Sequence, residues 1–158
     1  MSLDFLKSPP GQDPVVVEGH FNTSAARLFR TWTDPDELMQ WFGPSPRGLV
    51  SARLDVEPGG IWECAFPARE GRTDKLTGEY VAVEQDSRLV FTWEHHRAHA
   101  DGAVEKTPAS LVTVTFTDTP RGARLHLLHE RIEEEGGRLG VTDGWRGSFA
   151  RIAALFEA

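Results

Sequence analysis

Trp32-Thr33-Asp34-Pro35-Asp36-Glu37-Leu38-Met39-Gln40-Trp41-Phe42-Gly43-Pro44 is the stretch that decides how this chain folds. It holds the end of one helix, a turn and a second helix. Asp34 stands where an N-cap belongs, since its carboxylate can accept from an otherwise unpaired backbone N–H. Pro35 follows at N1, where a missing N–H costs nothing. Glu37 at N3 can reach back to the cap, so the pair reads as a variant capping box. Leu38, Trp41 and Phe42 then share one face at i, i+3 and i+4, and Gly43-Pro44 ends the helix. A helix this short cannot stand alone in water, so its aromatic rings must lean on something. Two readings coexist: the stretch is a corner packed on a core, and Trp41 and Phe42 line the mouth of a cavity.

Upstream, Thr23 or Ser24 can cap a helix whose apolar residues Ala25, Leu28, Phe29 and Trp32 recur at i, i+3, i+4 and i+7. Before it, the β-branched and aromatic run at residues 15–21 (VVVEGHF) reads as a first strand. Downstream, between Gly48 and Ile132, no helical period appears. Strand-like runs occupy 49–57, 60–66, 75–84, 88–96, 110–117 and 123–131. Pro58-Gly59-Gly60, Gly71, Asp86-Ser87, Asp101-Gly102 and Pro120-Arg121-Gly122 punctuate them. Such short links imply antiparallel hairpins. Glu133-Glu134-Glu135-Gly136-Gly137 reads as a solvated loop. Thr142 or Asp143 can cap a last helix, along which Trp145, Phe149, Ile152 and Phe156 form one apolar stripe.

A lone amphipathic helix has to bury its stripe on a sheet face. The simplest arrangement is an α+β domain over residues 15–158: a curved seven-stranded antiparallel sheet wrapped around a long C-terminal helix, with two short helices after the first strand. Residues 1–14, with three prolines and one glycine, read as a flexible tail. Alternation puts Trp62, Cys64 and Phe66 on one face, and likewise Phe91, Trp93 and His95, then Val112, Val114 and Phe116, then Leu125, Leu127 and His129. These faces look toward the helix. For Tyr80 the register stays open: either Tyr80 and Ala82 point inward or Val81 and Val83 do.

Composition narrows the function. The 158 residues fit one domain with a sizeable core. Net charge is -7 with no basic run, so nucleic acid is not an expected partner. Cys64 is the single cysteine, which rules out an internal disulfide and suits a reducing cytoplasm. No secretory n-region or h-region and no apolar run of membrane-spanning length appears, so neither export nor a membrane is expected.

In their order, these pieces match a family pattern. Leu28-Phe29, Thr33-Asp34-Pro35 through Trp41-Phe42-Gly43-Pro44, Leu54-Asp55-Val56-Glu57-Pro58-Gly59-Gly60 and Gly78-Glu79-Tyr80-Val81-Ala82-Val83-Glu84 belong to it. So do Arg88-Leu89-Val90-Phe91-Thr92-Trp93, Val112-Thr113-Val114-Thr115-Phe116 and Gly144-Trp145. Over nearly its whole length the chain resembles the activator of heat-shock protein 90 ATPase homologue-like family, within the START-like (SRPBCC) helix-grip superfamily. The resemblance implies a hydrophobic cavity between sheet and helix that takes a small apolar ligand, with no conserved reaction. The family takes its name from eukaryotic co-chaperones in which a related domain is joined to a second one. There is no room for that domain here, so a chaperone partner is the weaker expectation; a homodimer is left open.

Chemistry could reside in the six histidines. His95 and His96 are adjacent on a strand and face opposite ways, and His99 is expected beyond its end. Zinc needs three or four converging N or S ligands, and no spacing here supplies them, so neither metal nor cofactor is expected. His95 and His129 fall on apolar faces, either as satisfied core residues or as polar anchors for a ligand. Glu63, Glu79 and Glu94 should face solvent, and Cys64 should be buried and inert. Gly59-Gly60 opens a strand and reads as a bulge or tight turn. The leading expectation is a non-enzymatic binding module for a small hydrophobic or aromatic molecule. Trp41, Phe42, Trp62, Phe66, Trp93, Trp145 and Phe149 would line its cavity, with Tyr80, His95 or His129 as polar anchors. The runner-up is a cyclase- or hydrolase-like enzyme using His95 or His129 as general acid or base, and the third is a co-chaperone acting through its surface.

Overall fold

A computed structural model describes residues 5–43 and 48–157; Pro44, read above as part of the helix stop, lies outside them. After strand β1 (Val15–Phe21), Ser24 caps α1 (Ala25–Thr33) by accepting from the Arg27 N–H, and Asp34 caps α2 (Pro35–Trp41) by accepting from Asp36 and Glu37. Glu37 does not turn back to the cap. The Asp34 N–H is already committed to the Arg30 carbonyl, and the Glu37 carboxylate lies between the guanidinium groups of Arg27 and Arg30, at 2.9 Å from Arg30 Nε. Two cationic donors outweigh one uncharged backbone N–H as partners for this carboxylate. Asp34→Ala removes the acceptor for two N–H groups and should cost about 1 kcal/mol in denaturant unfolding.

The strands that follow are β2 (Ser51–Leu54), β3 (Ile61–Ala65), β4 (Arg72–Glu84), β5 (Arg88–His99), β6 (Val104–Lys106), β7 (Ser110–Thr119) and β8 (Gly122–Glu130). All pair antiparallel in the order β1-β8-β7-β5-β4-β3-β2, with β6 added to the outer part of β5. This is the expected sheet with one strand more. Three residues are too few for alternation to show, so β6 was not legible. It forms because β5 runs on to His99, three residues beyond its expected end. The turn before β3 is tight: Gly59 sits at φ +86°, and a Cβ on Gly60 would lie 2.0 Å from the Asp55 carbonyl oxygen. The open register at Tyr80 resolves in favour of Tyr80 at that point. Tyr80 is buried, Val81 is exposed, and a β-bulge between Tyr80 and Ala82 shifts the alternation so that Val83 also packs inward.

Helix α3 (Glu135–Leu155) is two turns longer than its expected start at Thr142 or Asp143 allows. The glycines at 136, 137 and 140 look like breakers, each disfavoured by about 1 kcal/mol in a helix. Tertiary bonds outweigh them. Arg138 donates to the carbonyls of Gly11, Ile132 and Glu133, pinning the first turn without a side-chain cap. Thr142 lies inside the helix and donates to the Arg138 carbonyl at 2.7 Å. The stripe docks as expected: Trp145, Phe149 and Ile152 are buried, and Phe156 is the C-cap. The expected tail differs as well. Over residues 5–14 the chain lies on the domain, with Leu6 bridging Val17, the Glu18 N–H bonded to the Phe5 carbonyl, and Phe5 buried against Phe21 and Phe149. Burial of Phe5 acts together with the Lys7 N–H bond to the Val16 carbonyl, the Val16 N–H bond to Ser8 Oγ and the Arg138 bond to the Gly11 carbonyl to offset the cost of ordering this segment. No described helix is long and apolar enough to cross a membrane.

Candidate functional site

Inward alternation along β4 and β5 places Leu76, Trp93, His95 and Arg97 on the concave side of the sheet, facing the N-terminal half of α3. Between them lies a groove of about 760 Å³, inside the size range of small-molecule sites. Phe66 closes one side from the end of β3, Phe42 and Gly43 from the end of α2, and Glu105, Lys106 and Thr107 from β6 and its exit. The helix contributes Val141, Trp145, Ser148 and the glycines 136, 140 and 144. These three glycines recur every fourth residue on one face. A Cβ added at any of them would meet no described atom within 4 Å, so the missing side chains are what leave the groove open. Arg151 holds the neighbouring corner by donating to the carbonyls of Trp41 and Gly43.

Behind the groove is a second, much smaller cavity of about 30 Å³, bordered by Trp32, Leu38, Leu54, Trp62, Cys64, Tyr80, Leu89 and Phe91. Phe42, Trp93 and Trp145 border both spaces. Their ring centroids stand 5.3–5.9 Å apart at steep interplanar angles, the arrangement aromatic quadrupoles favour. Trp62 reaches this cavity by crossing β4 at Gly78. A Cβ there would lie 1.8 Å from the Thr92 carbonyl oxygen and 2.5 Å from the Trp62 indole nitrogen, so only glycine lets that N–H bond Thr92 O at 2.9 Å. Burial, with help from the neighbouring Glu63 charge, pushes the Cys64 thiol up to about 12, so it stays protonated and unreactive. Burial likewise raises the Tyr80 phenol above its ordinary range.

His129 is fully buried and borders neither space. Its Nδ1 accepts from the Trp145 indole N–H at 3.1 Å, and its Nε2 lies 2.8 Å from Ser110 Oγ. An indole nitrogen only donates, so Nδ1 carries no proton, and the neutral ring must hold its proton on Nε2 and donate it to Ser110. The Ser110 hydroxyl in turn donates a hydrogen bond to the Trp93 carbonyl at 3.3 Å. This polarity runs opposite to a nucleophile–base pair, where Nε2 would accept from the serine. Burial pushes the His129 pKa down to about 3, because desolvation penalises the imidazolium. His129 is therefore a structural hub that orients Trp145 and Ser110, both of which face the groove.

At the groove's rim, Asp74 Oδ1 accepts from Arg97 Nε at 2.9 Å and pairs with His95 Nε2 at 2.8 Å, while Arg72 Nε stands 3.3 Å from Oδ2. Desolvation opposes ionisation of Asp74, but the hydrogen bonds and charges of Arg97 and His95 outweigh it and hold the carboxyl below its usual range. His96 pairs with Glu94, and His99 with Glu105; His99 closes β5 rather than lying past it. Glu63 pairs with Lys75 on the outer face. Among the described residues no group of three or more His, Cys, Asp or Glu is placed to hold a metal ion.

Of the expected lining residues, the groove gathers Phe42, Phe66, Trp93, His95 and Trp145, and the inner cavity gathers Phe42, Trp62, Tyr80, Trp93 and Trp145. Trp41, His129 and Phe149 line neither. Trp41 donates to the Thr31 carbonyl and packs 4.5 Å from Trp32, and Phe149 rests on Phe5 and Phe21. An inward face does not separate core from cavity; that depends on what stands opposite. Leu76, Arg97, Thr107, Val141 and Ser148 were missed. The spacing of glycines 136, 140 and 144 with Ser148 was the available signal, because it marks a helix face without bulk.

A family model described as "Activator of Hsp90 ATPase homolog 1-like protein" matches residues 22–157. Comparison with curated proteins returns no match. Among solved structures, protein CV1439 from Chromobacterium violaceum is 22% identical with a TM-score of 0.76, covering 93% of this chain and 99% of that chain. Protein Ms6760 from Mycobacterium smegmatis is 22% identical with a TM-score of 0.75, covering 97% of this chain and 96% of that chain. A protein from Rhizobium leguminosarum is 21% identical with a TM-score of 0.74, covering 90% of this chain and 93% of that chain. At these identities the likeness is one of fold.

Proposed function

The chain belongs to the Activator of Hsp90 ATPase homolog 1-like family, and we propose that it binds a small hydrophobic or aromatic molecule, in the cytoplasm, between its sheet and C-terminal helix. The observation that carries this reading is the groove of about 760 Å³ walled by Phe42, Phe66, Trp93 and Trp145 and kept open by glycines on α3. Aromatic walls supply apolar contact area at low conformational cost, and the polar groups along the rim supply orientation.

Gly144→Leu tests it. The added side chain projects into the groove, where no described atom lies within 4 Å of the new Cβ, and replacing a helical glycine should raise helix stability by up to about 1 kcal/mol. Titration with an anilinonaphthalene sulfonate dye should show saturable binding to the wild type and at least a tenfold loss in the variant, with an unchanged or higher melting temperature. Equal dye affinity in both proteins would remove the groove from the function.

One observation favours a second reading, acid–base catalysis on the bound molecule. His95 lines the groove with its Nε2 engaged by Asp74, a pairing that fixes the ring's orientation. If His95 is only an anchor, His95→Gln retains all chemistry the protein performs on any turned-over ligand and alters affinity alone.

A further inference from the structure

We propose that the inner cavity is the polar subsite of the same ligand site, where the Trp32 indole N–H and the Tyr80 hydroxyl receive an uncharged oxygen acceptor, a ketone or amide carbonyl, carried by an aromatic ligand whose rings lie in the groove. This rests on the groove reading and adds the ligand's chemical class.

The starting observation is an unpaired donor. Trp41 donates to Thr31 O, Trp62 to Thr92 O and Trp145 to His129 Nδ1. Trp32 is just as buried, at 4% exposure, yet its Nε1–H has no partner among the described residues. Buried donors are nearly always paired, so an exception beside a cavity needs a reason. Trp32 borders the inner cavity, and so does Tyr80, whose hydroxyl can donate as well as accept. The space of about 30 Å³ admits a water molecule or the tip of a functional group.

Chemistry then selects the group. An indole N–H only donates, so its complement is an acceptor. Among the described residues no charged side chain borders the inner cavity, so a carboxylate would enter without a counter-ion from them and lose its hydration. An uncharged carbonyl oxygen meets both conditions. The ligand's remainder follows from geometry: Phe42, Trp93 and Trp145 border both spaces, so an aromatic ring against them in the groove directs a substituent inward.

Two naphthalene dyes identical except for one group provide the test: a dimethylaminonaphthalene carrying a propionyl ketone, and the same amine without it. The wild type should bind the ketone dye more tightly, with bound-state emission lying to the red of that in the variants below, as expected of a hydrogen-bonded carbonyl. Trp32→Phe and Tyr80→Phe should each weaken the ketone dye by roughly fivefold to tenfold, shift its emission toward the blue, and leave the ketone-free dye unchanged. Tyr80→Phe removes a single oxygen and carries the test if Trp32→Phe does not fold. Equal affinity of the two dyes in the wild type, or equal weakening of both in the variants, would overturn the subsite while leaving the groove reading intact. No saturable binding of either dye would overturn both.

Discussion

Phe149→Ala should lower the unfolding free energy by about 3–5 kcal/mol. The side chain is fully buried and borders neither cavity. It stands edge-on to Phe21 at 5.9 Å and 5.7 Å from Phe5, joining α3 to β1 and to the N-terminal segment. Truncation therefore opens a new void in close packing rather than enlarging an existing space, which places the cost at the upper part of the large-to-small range. Urea unfolding followed by tryptophan fluorescence measures it. A loss below about 1 kcal/mol would mean that the aromatic cluster is not what docks the helix.

His129→Leu should be nearly as costly, and its effect should depend on pH. The substitution leaves the Trp145 N–H without an acceptor and Ser110 without its donor, and an orphaned buried polar group costs about 1–3 kcal/mol. A loss of about 2–4 kcal/mol at neutral pH follows. With the folded pKa near 3 against 6.5 for the free side chain, the unfolded chain takes up a proton first as pH falls. The stability His129 contributes is thus complete above about pH 6.5 and declines below it, by up to about 1.4 kcal/mol per pH unit, until the folded pKa is reached. The difference between wild type and variant should shrink through that window. A difference independent of pH between 6.5 and 5 would show that His129 is not buried in the neutral form. The tautomer has its own readout: imidazole nitrogen shifts should place the proton on Nε2.

Local order was legible because it depends on neighbours a few residues apart. The Asp34-Pro35 cap, the stripe of Trp145, Phe149 and Ile152, and the alternation that buries Leu125, Leu127 and His129 follow from backbone valence and from the periods of helix and strand. The antiparallel hairpins from β2 to β8 follow from their short links, whereas the pairing of β1 with β8 joins segments far apart in the chain. The misreadings share one cause, a distant group that outweighs a local preference. Arg27 and Arg30 draw Glu37 away from its cap. Arg138 ties the chain at Gly11 and at 132–133 to α3 and lets a glycine-rich segment wind into helix. Phe5 finds its place only once Phe21 and Phe149 are assembled.

The site divides along the same line. Alternation and helical spacing were enough to name an aromatic interior, an α+β architecture and the helix on which the sheet closes, because those depend on which residues share a face. Whether an inward ring is enclosed by other side chains, as Trp41 and Phe149 are, or also borders open space, as Trp93 and Phe66 do, depends on the separation of elements far apart in the chain. The same holds for the His129 tautomer, set by an indole sixteen residues away on another element, and for the unpaired Trp32 N–H. Periodicity assigns a side chain to a face; the distance to the opposite face, set by packing of the whole domain, decides whether that face is core or cavity.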